Sequence, residues 1–152
     1  MNIKANEIIE KVIYITLATV DESGQPWNTP LFSAYDDNYN FYWGSSRESQ
    51  HSKNIGSNNK VFIVVYDSTI PAGQGEGVYI KARASVLNDP VAIRKAHRLL
   101  QNRRPEPYWK LDYFLNDTPV SLYKAVPEKI WMNDSSRSDD VYEDIRKETK
   151  LS

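Results

Sequence analysis

The stretch "FYWGSSRESQHSKNI", residues 41–55, places three aromatic residues directly before a glycine and a dense group of hydroxyl and cationic side chains. Aromatic residues in succession are typical of a β-strand, whereas the part that begins at Ser49 has the composition of a short helix. Ser46 or Ser49 is suited to cap that helix at its N-terminus. We therefore predict a strand that ends near Ser45 and a helix over about residues 49–58.

The polar residues of this stretch predict an anion site. Ser45, Ser46, Ser49, His51 and Lys53 are expected to gather at the helix N-terminus, where unpaired backbone N–H groups and the helix dipole attract negative charge. A phosphate dianion is the natural ligand of such a site. The same residues are also compatible with a well-capped helix whose polar side chains are merely solvated, and the local pattern leaves both interpretations open.

Strand-like segments extend in both directions from this stretch, with turn-forming residues such as "DESGQP" (21–26) between them. The predicted strands are 12–20, 27–35, 41–45, 60–68, 78–87 and a pair within 121–133 that Pro127 interrupts; the predicted helices are 4–12, 49–58, 91–104 and 108–115. The polar segment 139–150 is interpreted as a short helix or a loose tail. Segment 60–68 is continuously apolar and is predicted to be buried on both faces. This pattern predicts a mainly β fold, a closed or partly closed barrel with a few peripheral helices.

The composition excludes several classes of function. A chain of 152 residues is near the size of one domain, and a net charge of −1 argues against a general nucleic-acid or membrane-surface role. The absence of cysteine excludes disulfides and thiolate metal sites. His51 and His97 are the only histidines and do not form a metal-ligand pair, so no metal site is expected; His97 is expected to be a buried, hydrogen-bonded helix residue. Without a signal-peptide pattern or a long apolar run, the protein is expected to be cytoplasmic.

Two long segments resemble a known family. "LATVDESGQPWNTPLFSAYDDNYNFYWGSSRESQHSKNIGSNNKVFIVVYDS" (17–68) and "GQGEGVYIKARASVLNDP" (73–90) are similar, in order, to the FMN-binding split-barrel family typified by pyridoxamine 5'-phosphate oxidase. The likeness covers about residues 10–100 and is greatest to a branch of small, general stress protein-like members with an "HSKN" pattern. It implies a six-stranded antiparallel split β-barrel of Greek-key topology, spanning residues 1–133, followed by a polar tail over 134–152. It also implies a homodimer that binds FMN noncovalently at the subunit interface.

The resemblance also implies roles for individual residues. The strand that edges the isoalloxazine ring would contain Thr29, Pro30, Leu31 and Phe32; the strand end beside the ribityl chain would contain Trp43, Gly44 and Ser45; the phosphate site would comprise Ser49, Gln50, His51 and the nearby Lys53. Late aromatic residues in this fold can reach the flavin of the partner subunit, and Trp131 is the best candidate for that position.

The sequence departs from the oxidase that typifies the family. That oxidase has arginine where Thr29 stands, an Arg-Lys pair where Gln50 and His51 stand, and a substrate-binding lysine where Ala34 stands. Its C-terminal arginine-x-histidine pair has no counterpart in "PEKIWMNDSS" (127–136). The phosphate site thus has less formal charge, and we do not expect oxidation of pyridoxamine 5'-phosphate.

The function that these features favour is that of an FMN-binding oxidoreductase acting on an unidentified small substrate or a nicotinamide nucleotide. In such proteins the flavin supplies the hydride chemistry and the protein supplies orientation and hydrogen bonds. A flavin-binding or stress-related protein without catalysis is one alternative, and a split barrel that binds haem or a deazaflavin is another. No general acid or base, nucleic-acid partner or membrane partner is predicted.

Overall fold

The structure is a computed structural model that describes residues 3–104, 106–134 and 145–151. Within these residues, four helices and eight strands follow one another. They are α1 (Ile3–Lys11), β1 (Tyr14–Val20), β2 (Pro26–Phe32), β3 (Ala34–Tyr35), β4 (Phe41–Ser46), α2 (Gln50–Ser57), β5 (Lys60–Tyr66), β6 (Gly77–Val86), α3 (Pro90–Asn102), α4 (Asp112–Leu115), β7 (Val120–Asp134) and β8 (Ile145–Glu148).

All strands belong to one antiparallel sheet that curls back on itself. The strand order is β2-β1-β5-β6-β7-β4-β3, and β8 pairs with β7. The first and last strands of this order, β2 and β3, are separated in the chain only by Ser33, which is buried and donates its backbone N–H to the Ile13 carbonyl. Because the two ends of the sheet are consecutive in the chain, the sheet forms a barrel with a split between β2 and β4. The predicted mainly β split barrel is confirmed.

The strand count differs from six for two reasons. Ser33 interrupts the predicted strand 27–35, so that it is described as β2 and β3, and β8 adds a strand beyond the barrel. Residues 145–148 are therefore a strand rather than the helix that was one interpretation of the polar segment, and residues 139–144 lie outside the described residues. Of the remaining six strands, five correspond to predicted strands and β7 lies in the region of the predicted pair.

The predicted strand pair around Pro127 is wrong, because β7 is one continuous strand. Ala82 pairs with Pro127 and Lys81 with Lys129, so Glu128 is an extra residue in a β-bulge. Pro127 lies between residues 120–125, which pair with β4, and residues 131–134, which pair with β8. Among the described residues no strand pairs with that side of β7 at Pro127, so the sheet tolerates the missing N–H.

The barrel core explains why buried and exposed residues alternate along the strands. Ile15, Leu17, Ile63, Ile80 and the side chains of neighbouring strands are almost fully buried in the barrel interior. On β5 only alternate residues, Val61, Ile63 and Val65, are buried, whereas Phe62 and Val64 are half-buried on the outer face. The prediction that this strand is buried on both faces is thus wrong for a single chain, and the outer face of the sheet remains apolar.

Candidate functional site

The N-terminus of α2 lies at the end of β4, where the opening stretch of sequence predicts it. The N-cap residue, Ser49, makes no side-chain cap hydrogen bond; its Oγ instead donates to the Ser46 carbonyl at 2.8 Å. The first backbone N–H groups of the helix therefore lack the partner that an N-cap side chain usually provides. At its other end the helix is fixed by the buried amide of Asn54, whose Nδ2 donates to Thr19 Oγ1 on β1 at 3.0 Å.

Hydroxyl groups surround the imidazole of His51 at this helix end. His51 Nε2 lies 2.6 Å from Ser45 Oγ and 3.2 Å from Ser49 Oγ. Ser49 Oγ is also 2.8 Å from Ser52 Oγ. Ser45, His51 and Ser52 are all buried, so this is a preorganised group of polar side chains rather than a solvated helix end. Three of the predicted residues are thereby brought together, and Ser52 joins them.

The cluster is electrically neutral near pH 7. Burial lowers the pKa of His51, so the imidazole is uncharged in the free protein. The Lys53 ammonium is half-exposed and lies 2.9 Å from the carboxylate of Glu48. Gln50 Nε2 donates to the side chain of Asn54 at 2.8 Å. The site therefore offers neutral donors and a helix N-terminus, with one lysine that would have to leave its ion pair to contribute charge.

The predicted residues of β2 face two directions because side chains alternate along a strand. Leu31 belongs to the barrel core, and Thr29 is on the same face of the strand. Pro30 and Phe32 are on the opposite face, where the ring of Phe32 lies 6.1 Å from that of Tyr108. A flat ligand along this strand would contact its backbone and one of the two sets of side chains.

Gly44 on β4 provides space for Tyr108, a residue that the sequence pattern placed in a short helix. A Cβ atom added to Gly44 would lie 2.3 Å from the Tyr108 hydroxyl oxygen. That oxygen accepts a hydrogen bond from the Gly44 backbone N–H. Because the ring also packs on Phe32, Tyr108 bridges β2 and β4 across the split. The space beside Gly44 is thus occupied by the Tyr108 side chain of the same protein molecule.

The surroundings of Tyr108 keep its phenol neutral. Burial raises the pKa of Tyr108 to about 12, although the Arg104 guanidinium and the Gly44 N–H act in the opposite direction. The ring stacks on Phe114 with a centroid distance of 6.0 Å, and the Arg104 guanidinium lies 5.8 Å from the ring centroid. Tyr108 is therefore a rigid hydrogen-bonding group beside the predicted site.

Trp43 contains an unsatisfied donor. Its side chain is fully buried and stacks on Tyr123, with ring centroids 5.8 Å apart, yet its indole Nε1 has no hydrogen-bond partner within the described chain. A buried N–H without a partner costs about 1–3 kcal/mol. The atom lies within the barrel core, so a ligand does not reach it without a rearrangement of the surrounding side chains.

Trp131 is not close to the other predicted residues within one chain. It lies on β7, is paired with Tyr79 of β6, and its ring is 6.1 Å from that of Phe62 on the outer face of the sheet. The other predicted residues lie on β2, β4 and α2. A shared site would therefore require Trp131 from a second copy.

Sequence reasoning did not identify Ser52 or Tyr108. Ser52 lies inside the quoted stretch, and its helical spacing of three residues from Ser49 was the available signal. Tyr108 contacts Gly44 from 64 positions away, and no local pattern reports such a contact. His97 is half-buried, and its Nε2 lies 2.6 Å from the Trp109 carbonyl oxygen.

The described residues contain neither a cluster of metal-ligand side chains nor a membrane-spanning helix. Within residues 3–104, 106–134 and 145–151, no group of three or more histidine, aspartate or glutamate side chains has the arrangement of a metal site. In the same part of the chain, none of the helices has the length and apolar character needed to cross a membrane.

A curled antiparallel sheet with a split beside the open N-terminus of a helix defines a split-barrel protein. The pattern of the pyridoxamine 5'-phosphate oxidase family matches residues 1–134, and the chain belongs to that family. No curated protein sequence matches the chain significantly.

Solved structures show the same fold at low sequence identity. HutZ, the haem storage protein of Vibrio cholerae, has a TM-score of 0.70 at 19% identity, covering 84% of this chain and 90% of that one. An F420 reductase has a TM-score of 0.63 at 18% identity over 86% and 98% of the two chains. General Stress Protein 26 of Bacillus anthracis has a TM-score of 0.61 at 19% identity over 85% and 90%. Since these proteins differ in what their names describe, the likeness defines the fold alone.

Proposed function

We propose that this protein binds FMN in the split between β2 and β4, with the phosphate at the N-terminus of α2, and acts as a flavin-dependent oxidoreductase. The observation that supports this most is the uncapped start of α2 beside the hydroxyl and imidazole cluster of Ser45, Ser49 and His51, in which Ser45 and His51 are buried. Free N–H groups at a helix start, together with hydroxyl donors, are suited to a phosphate. Family membership supports a flavin as the molecule that contains this phosphate.

The remaining residues fit an FMN molecule in this orientation. The ribityl chain is rich in hydroxyl oxygens, and the Ser45 hydroxyl lies on the strand beside which that chain is expected. The backbone of β2 would line the ring, and Tyr108 would contact one side of it. The bound flavin would supply hydride transfer, and the protein would orient the ring and exclude water from it.

The first experiment measures the contribution of the phosphate. Purified protein is titrated with FMN and with riboflavin, which lacks the phosphate. A hydrogen bond to a charged group contributes about 1.5–3 kcal/mol, so FMN should bind at least about tenfold more tightly. Ser45→Ala and Ser49→Ala should reduce that preference, whereas Ser68→Ala, an exposed serine far from α2, should not. Equal affinities for the two flavins would exclude the phosphate assignment.

The second experiment separates an enzyme from a flavin-binding protein without catalysis. The absorbance spectrum of the protein as purified identifies a flavin, a deazaflavin or a haem. FMN-loaded protein is then assayed for oxidation of NADH and NADPH. Multiple turnovers that depend on bound FMN would support the oxidoreductase, and tight FMN binding without turnover would favour the binding protein.

Haem is a poorer fit to the described residues. Axial ligation by histidine needs a ring nitrogen with a free lone pair. His51 Nε2 lies 2.6 Å from Ser45 Oγ, and His97 Nε2 lies 2.6 Å from the Trp109 carbonyl oxygen. These are the two histidines of the sequence. Ligation through Nε2 of either would first have to break its hydrogen bond.

A further inference from the structure

A cavity opens beside α2, on the face that contains Ser52, Ile55 and Gly56. It has a volume of about 670 Å³ and lies between α2, the end of β6, the start of α3, α4 and the start of β7. That volume is within the range of about 300–1,000 Å³ that is usual for small-molecule sites. None of the twelve residues predicted to bind FMN lines this cavity.

The floor of the cavity is apolar and rigid. Ile55 of α2, Ile93 of α3 and Phe114 of α4 contribute to it, and each is at least 90% buried. Tyr123, also buried, lines the cavity and stacks on Trp43. A flat or branched apolar group would contact these side chains without rearranging them.

One wall is polar and includes a cation. Arg47 Nε donates to Ser121 Oγ at 2.8 Å, and Arg47 Nη1 donates to Asp117 Oδ1 at 3.1 Å. The Asp117 side chain is 97% exposed, so water largely screens this ion pair. The guanidinium has five N–H donors, and these two bonds leave three of them for a ligand. Ser121 is buried and, having accepted from Arg47, can still donate its own O–H.

We propose that this cavity is a binding site for a small aromatic or branched carboxylate, with its apolar body on the Ile55–Ile93–Phe114 floor and its carboxylate at Arg47 and Ser121. An anion at this wall replaces the exposed Asp117 as the partner of Arg47 and forms charge-assisted hydrogen bonds. Ser52 lines the cavity and is hydrogen-bonded to Ser49, so the site is joined to the N-terminus of α2 by one pair of hydroxyl groups. The proposal does not depend on FMN.

Three small molecules that differ in charge and in their apolar part test this site by protein NMR. Cinnamate has the ring and the carboxylate, cinnamamide replaces the charge with a neutral amide, and acetate has no apolar body. Cinnamate is expected to shift the amide signals of cavity residues such as Gly56, Val86 and Phe114. Cinnamamide should bind about tenfold more weakly, since it loses the charge-assisted bonds. Acetate should produce no saturable shift.

Two variants locate the binding. Gly56 lies on the cavity wall, and a Cβ atom added there meets no atom within 4 Å, so a side chain can begin at this position, and Gly56→Phe is designed to occupy the cavity. It should abolish cinnamate binding while the melting temperature is retained. Gly75→Phe is the matched control, because Gly75 also has open space around its Cβ but lies outside the cavity. Arg47→Gln should remove the preference for cinnamate over cinnamamide, and neither cavity variant should alter FMN affinity.

Several results would overturn the proposal. They are an absence of saturable cinnamate shifts, shifts centred on β2 and the start of α2 instead, and equal binding by the Gly56→Phe and Gly75→Phe variants. Unchanged FMN titrations in the same samples distinguish failure of this site from failure of the proposed function.

Discussion

Single residues in this protein are constrained by contacts that are remote in sequence. Gly44 is an example, since its missing side chain is explained by the Tyr108 hydroxyl rather than by backbone conformation. Tyr108 in turn is held by Phe114, Phe32 and the Gly44 N–H. The effect of substituting either residue on the unfolding free energy should therefore depend on which side chain is present at the other position.

Gly44→Ala is expected to destabilise the protein, because the added Cβ would lie 2.3 Å from the Tyr108 hydroxyl oxygen and Tyr108 must shift. Overpacking of this kind costs about 1–3 kcal/mol of unfolding free energy. Tyr108→Phe removes the oxygen and should recover most of that loss in the double variant. Urea unfolding of the four proteins of this double-mutant cycle measures the coupling. Additive effects would show that the two residues do not contact each other.

FMN affinity is expected to rise as pH falls from about 8 to about 6.5, a range that includes the ordinary pKa of histidine. Burial lowers the pKa of His51 in the free protein, so the imidazole is neutral there. A bound phosphate dianion favours the protonated ring and raises this pKa, so binding takes up a proton. FMN titrations across this range measure the effect. His51→Gln should remove the slope, and a slope that persists in this variant would assign the proton to another group.

At the scale of elements, the helices are attached to the barrel by a few specific side chains. Arg103, just after α3, directs its guanidinium to the C-terminal end of α1: its Nη2 donates to the Ile9 carbonyl at 2.5 Å and to the Val12 carbonyl at 2.9 Å. The guanidinium also lies 4.7 Å from the ring centroid of Tyr35. The last carbonyls of a helix lack intrahelical partners, so this arginine acts as their cap.

Arg103→Met should loosen α1 while leaving the barrel intact. The substitution retains much of the apolar stem but removes the donors from the buried helix end, at a cost of about 2 kcal/mol. Hydrogen exchange should accelerate in residues 5–12 more than in β5 or β6. Arg98→Met, an exposed arginine on α3, is the control. Equal acceleration throughout the chain would indicate that α1 is not a separate unit of stability.

The sequence was sufficient to predict most elements but not the contacts between distant ones. Alternation and turn residues are local, and they predicted five of the six barrel strands and α2 with its serine-rich start. Pro127 was interpreted as a break because the rule that proline interrupts a strand does not take neighbouring strands into account. The bulge at Glu128 and the unpaired side of β7 are properties of the assembled sheet. The Tyr108–Gly44 contact and the cavity beside α2 were not predictable, since each depends on the packing of elements distant in the chain.

For the whole molecule, the outer face of the sheet remains to be explained. Phe62, Val64, Tyr79 and Trp131 lie side by side on it, half-buried in a single chain, and the Arg146 guanidinium lies 4.0 Å from the ring centroid of Tyr79. Contiguous apolar surface of this kind usually marks an interface. Proteins of this family commonly form dimers, and we propose that a second copy of this chain packs on this face.

The protein is expected to sediment as a dimer at micromolar concentration, and Phe62→Asp should convert it to a monomer, because the carboxylate removes apolar contact area and is costly to desolvate in an interface even beside its cross-strand neighbour Lys81. Val91→Asp is the control, as Val91 is an apolar residue on α3 that is 74% exposed and remote from the sheet face. If the flavin binds between subunits, Phe62→Asp should also weaken FMN binding. A monomeric parent protein that binds FMN tightly would contradict this arrangement.

The position of β7 has a consequence for synthesis on the ribosome. This strand lies between β6 and β4, yet it is made after both of them. Until residues 120–134 have left the exit tunnel, the growing chain exposes two unpaired strand edges and a half-formed barrel interior, which are the features that recruit chaperones and promote aggregation. The protein cannot close its barrel vectorially from the N-terminus. The last barrel strand to emerge joins β6 to β4. A ribosome that stalls shortly before residue 120 would therefore hold an incomplete, aggregation-prone intermediate.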